Sequence, residues 1–68
     1  MARHYQNTNL YLRNAYACLS EGCTGSAYSY AMAALEAARN TPNRVLRAHC
    51  AQVAARCWSA HEAKHVGQ

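Results

Sequence analysis

The chain has no Phe, no Ile and no Asp, and its branched aliphatics are few: Leu10, Leu12, Leu19, Leu35, Leu46, Val45, Val53 and Val66. Its hydrophobic fraction is 51% of 68 residues, but 15 of those positions are Ala. So short a chain holds one core, and a core this poor in bulk is worth about 3–5 kcal/mol of net stability. A multi-layer enzyme fold, a barrel and a doubly wound sheet are excluded. Pro42 is the one proline, and Gly22, Gly25 and Gly67 fit no phosphate cradle. Glu21, Glu36 and Glu62 are the only acids, too few for paired general acid–base chemistry, so a non-enzyme that needs no cofactor is expected. No stretch approaches the roughly 18 apolar residues of a membrane span, and Met1 to Gln6 lacks the apolar segment of a signal peptide. The expectation is a cytoplasmic protein with reduced thiols and no membrane partner.

What is there falls into three helices, a single all-α domain over 1–68. Residues 1–7 are polar and expected to be loose. Thr8 or Asn9 can cap a helix over about 9–21, with Leu12, Ala15, Tyr16 and Leu19 at i, i+3, i+4 and i+7 on one face. Gly22 offers the left-handed residue that ends it. A second helix, about 26–39 and capped by Thr24 or Ser26, carries the stripe Ala27, Ala31, Ala34 and Ala38, bordered by Tyr30 on one side and by Tyr28, Met32 and Leu35 on the other. An alanine stripe lets a neighbouring helix approach closely. Asn40 suits a left-handed end, Thr41 a cap and Pro42 a first turn, which predicts a third helix over about 42–65. Its main stripe is Leu46, Cys50, Val53, Cys57 and Ala60; a second, Ala51, Ala55 and Trp58, lies about 100° away. The architecture is a small three-helix bundle, or a hairpin whose third helix is shared in a homodimer.

Three patterns touch on chemistry. His61-Glu62-Ala63-Lys64-His65 spells H-E-x-x-H, in which zinc peptidases place two His ligands and a general base. The context fails it: no third ligand follows His65, and Lys64 adds a cation, so an amphipathic helix end whose His residues suit the C-terminal dipole is preferred. A structural metal or redox site on Cys50, Cys57, His61 and His65 is an outsider, because it needs another ligand such as Cys18 or Cys23 and no C-x-x-C pair is present. A Cys18–Cys50 plus Cys23–Cys57 disulfide ladder is the other use of the thiols; small buried hydrophobes are the plainer one.

The remaining signal is surface. The net charge is +4, six of the seven cations are Arg, and Arg39, Arg44, Arg47 and Arg56 fall between Glu36 and Glu62 with no acid among them. Such a balance serves solubility, and it also favours an acidic protein or nucleic acid. Five Tyr and Trp58 cannot all be core in so small a domain, and Tyr, Trp and Arg are the residues of interface hot spots. The expected docking residues are Trp58, Ala51 and Ala55 flanked by Arg47, with Tyr28, Tyr30, Arg39, Arg44 and Arg56. The leading expectation is a stand-alone interaction module acting by occupancy, an inhibitor or modulator of a larger, acidic protein or nucleoprotein complex. Phage and mobile-element accessory proteins, including those that block host defence complexes such as CRISPR effectors, offer an analogy of size and build. Two wide apolar faces also suggest a homodimer. The alternative is a nucleic-acid-binding regulator using the basic third helix, although its Arg residues do not share one face.

Overall fold

The computed structural model describes residues 2–66, with side chains from 7 to 65. Three helices follow in order: α1 (Ala2–Ser20), α2 (Thr24–Ala38) and α3 (Arg44–Val66). The fold is an all-α bundle, 43 Å along its long axis and 18 and 13 Å across. α1 and α3 both pack against α2 and barely touch each other, so α2 is the spine of the molecule.

The reason lies in the alanine stripe. Ala27, Ala31, Ala34 and Ala38 recur once per turn on α2 and are all fully buried. Leu12 and Ala15 of α1 close on this stripe from one side, and Cys50, Val53, Ala54 and Cys57 of α3 from the other. Leu19, Leu35, Leu46, Tyr11, Tyr28 and Cys18 are partly buried around this core. The main stripe predicted on α3 is thus its inward face.

The turns are built by identifiable groups. Gly22 takes the left-handed conformation, φ 84°. There the Gly22 N–H donates to the Leu19 carbonyl (3.1 Å) and the Cys23 N–H to the Cys18 carbonyl (2.8 Å), the paired bonds of a Schellman end. The second turn departs from expectation. Asn40 is not left-handed, since no non-glycine among the described residues has positive φ. The chain instead leaves α2 in tight turns, Asn40 N–H to Ala37 O (3.2 Å) and Thr41 N–H to Ala38 O (3.1 Å). The Thr41 hydroxyl donates to Ala38 O (3.1 Å) and accepts from the Asn43 N–H (3.3 Å), so it fastens the turn rather than capping α3. Asn43 is the cap: its Oδ1 accepts from the Leu46 N–H at 3.0 Å. Pro42 therefore precedes the helix rather than lying in its first turn.

Two further boundaries differ. α1 begins at Ala2, where residues 1–7 were expected to be loose and the helix to start near 9. No Gly or Pro interrupts that stretch, and Thr8, expected as a cap, is buried inside the helix. α2 begins at Thr24, with Cys23 at the cap position and no side-chain capping bond. Met1 and Gly67 lie outside the described residues.

Candidate functional site

α2 and α3 form an antiparallel pair whose outward side gathers most of the predicted docking residues. Tyr28, Met32 and Leu35 stand at i, i+4 and i+7 along one flank of α2. Ala51, Ala55 and Trp58 repeat that spacing on α3. The two rows meet where the Tyr28 and Trp58 rings pack, centroids 5.1 Å apart and planes tilted by 51°. Trp58 nevertheless stays 46% exposed and Met32 38%. Ala51 and Ala55 are exposed beside them, so this second stripe is not consumed by the bundle.

Charge borders the face. Arg44 and Arg47 lie within about 40° of Ala51 around α3, Arg44 exposed and Arg47 half-buried. Arg39, just past the end of α2, lines a shallow depression with Met32, Leu35 and Glu36. Glu62 is one turn beyond Trp58 at the aromatic end, and Glu36 stands beside Arg39 at the other, where Arg39, Arg44 and Arg47 outnumber it. Two expected members fall elsewhere. Tyr30 is on the α1 flank of α2, lining a hollow with Tyr11 and Ala33. Arg56 is about 140° from Ala51 on α3 and borders the α1–α3 seam instead. The Arg residues of α3 are thus split between two sides, which deprives a groove-following basic helix of its single face. Tyr5, counted among the spare aromatics, has a side chain outside the described residues.

Beyond Trp58 the rings continue. His61 lies 6.0 Å from Trp58 and 4.2 Å from His65, the latter edge-on at 74°. The Thr24 hydroxyl and His61 Nδ1 share a hydrogen bond of 3.0 Å, which pins the start of α2 to the end of α3. The His61 ring lies against Gly25, where a β-carbon would meet it at an ordinary contact distance of 3.6 Å. Lys64 donates to the Gly22 carbonyl at 2.7 Å, turning toward the α1–α2 turn. Of the H-E-x-x-H segment, His61 and Lys64 therefore fasten the end of α3 to the start of α2 and the turn before it.

The metal candidates are not brought together. Cys50 and Cys57 are fully buried, whereas His65 is exposed, and among the described residues no group of three or more His, Cys, Asp or Glu is placed to hold a metal ion. All four cysteines are free thiols, with Cys23 exposed and Cys57 in the core, so the proposed disulfide ladder is not formed. Burial pushes the Cys50 thiol up from its ordinary range. Burial does the same to Cys57, opposed by the Arg56 charge and reinforced by Cys18. Both thiols are thereby kept protonated and poorly nucleophilic.

One cluster escaped the sequence reading. Tyr16 of α1 reaches His49 of α3, hydroxyl to Nε2 at 3.4 Å, across the seam where these helices otherwise hardly meet. The signal available was His49, Gln52 and Arg56 at i, i+3 and i+7. Nothing local in the sequence paired that row with Tyr16. No described helix is long and apolar enough to cross a membrane. No family model matches the chain, and neither curated proteins nor solved structures give a match.

Proposed function

We propose that the protein is a non-catalytic interaction module that acts by occupying a site on a larger, acidic protein, as an inhibitor or modulator of it. The observation carrying this reading is the half-exposed Trp58 ring, braced on Tyr28 and set beside the open Ala51–Ala55 floor. A ring held this way loses little freedom when covered, and the alanines beside it leave room for a partner's side chains. Arg39, Arg44 and Arg47 at one end of the face select the partner's sign.

Capture with the tagged full chain tests the reading, using Trp58→Ala and Arg47→Glu as comparison baits and identifying whatever is retained. The expected result is one acidic protein, held stoichiometrically by the wild type and released by moderate salt. Trp58→Ala should weaken it by roughly 30-fold or more, the size of a hot-spot loss. Recovery of the same protein with undiminished affinity by Trp58→Ala overturns the proposal, as does capture of nucleic acid alone. So does light scattering that shows a dimer dissociated by Trp58→Ala.

A further inference from the structure

The α1–α3 seam is the one helix junction that the alanine stripe does not fill. It holds a groove of about 370 Å³ lined by Tyr16, His49, Gln52, Val53, Ala55 and Arg56. That volume lies at the low end of those occupied by small-molecule sites, about 300–1,000 Å³. We propose that this groove binds a small organic anion, a carboxylate or phosphate ester carried on an apolar stem. The groove adjoins the Trp58 face at Ala55, which borders both, but its polar groups lie outside that face, and the assignment does not depend on the function proposed for it.

The lining chemistry sets the ligand's sign. Arg56 offers a planar fork of N–H donors, Gln52 two amide N–H groups, and Tyr16 and His49 a hydroxyl and an imidazole. Among the described residues no carboxylate lines the groove. Glu62, the only acid on α3, lies about 120° around the helix from Arg56. Arg56 and Gln52 are one turn apart and His49 one turn earlier, so their polar ends follow one row of α3. The Tyr16–His49 bond of 3.4 Å closes the groove's far side and is adaptable. In the tautomer that carries its hydrogen on Nε2, His49 donates to the Tyr16 oxygen, and the Tyr16 hydrogen is left to point at the ligand. Val53, only 4% exposed, and Ala55 supply apolar lining, which is why a stem is specified rather than a bare ion.

Four probes at constant ionic strength test the assignment: benzoate and phenyl phosphate, with acetate and inorganic phosphate as stemless counterparts. NMR shifts of Tyr16, His49 and Gln52 in the full chain report binding. Saturable binding of benzoate or of phenyl phosphate is expected, about tenfold tighter than its stemless counterpart. Benzoate alone identifies a carboxylate ligand, phenyl phosphate alone a phosphate ester, and both the shared anion chemistry. Arg56→Gln should lower affinity about tenfold or more, while Lys64→Gln, at the far end of α3, should not. Tyr16→Phe, which keeps the ring, separates loss of the hydroxyl donor from loss of the fold. Shifts that rise without saturation for every probe overturn the proposal. An equal loss in Lys64→Gln also overturns it, since it shows diffuse charge attraction. Retention of the captured acidic partner by Arg56→Gln keeps this outcome distinct from that of the Trp58 experiment.

Discussion

The two sides of the α2–α3 pair differ in the size of what they carry. Inside are Ala27, Ala31, Ala34 and Ala38 facing Cys50, Val53, Ala54 and Cys57, all buried. Outside are Tyr28, Met32 and Trp58, the last two exposed. The usual arrangement puts large apolar groups in and small or polar groups out. Here close helix approach leaves no room for rings in the seam, so the rings are displaced to its margin. Stability then rests on fit between small side chains, and the bulky groups remain available to something else.

Thiol labelling separates the two sides by the largest factor. Cys23 is exposed and is expected to react at the rate of an unfolded thiol, whereas Cys50 and Cys57 are fully buried and react only through opening. With about 3–5 kcal/mol of stability, their labelling should be slower by roughly 100-fold or more. Equal rates by mass spectrometry break the comparison, because the seam would then be open. The same thiols give a pH dependence. Their folded pKa values are raised, so they hold protons more tightly folded than unfolded. Their contribution to stability is complete below the ordinary thiol value of about 8.5 and is lost as pH rises beyond it, readable in alkaline melting curves.

Ala34→Leu comes next. Ala34 is fully buried at the middle of the stripe, and the added carbons have to force the helices apart. Overpacking of this kind costs about 1–3 kcal/mol. In a domain this small each kcal/mol moves Tm by roughly 4–8 °C, so circular-dichroism melting should show a drop of about 5–20 °C. An unchanged Tm sinks the claim that the alanines set the spacing.

The inner side was legible because burial imposes a period. Ala27, Ala31, Ala34 and Ala38, and Leu46, Cys50, Val53 and Cys57, repeat at helical spacing, and the structure buries or half-buries each one. Where no burial is at stake, the reading slipped. The first turns of α1 are polar, so nothing periodic marked the helix back to Ala2. Thr41 and Asn43 are both good caps two residues apart; what decides between them is that the Thr41 hydroxyl is engaged with Ala38 O. The docking residues were legible as two separate rows. That Tyr28 and Trp58 meet, while Tyr30 and Arg56 turn away, follows from which flank of α2 receives α3, and that is a property of the assembled bundle. The Tyr16–His49 pairing was hidden for the same reason, since it joins helices that are not consecutive in the chain.

The smallest effect expected is at Val45, 79% exposed at the second position of α3. Val45 lies about 20° from Arg56 around α3, off the Trp58 face, so it samples exposed surface away from both sides of the pair: an apolar side chain there contributes almost nothing, and Val45→Glu forfeits no packing. It adds the acid that the first turn of α3 lacks. A carboxylate there faces the unpaired N–H groups of the helix start, a favourable interaction of about 0.3–1 kcal/mol, offset in part by the better helix termini that Asn43 already supplies. Chemical denaturation should therefore place Val45→Glu within about 0.5 kcal/mol of the wild type, on the stable side. A loss above about 1 kcal/mol has a different meaning: Val45 would then be covered in solution by another copy of the chain, and the division between a folded inside and a spare outside would have to be redrawn around that contact.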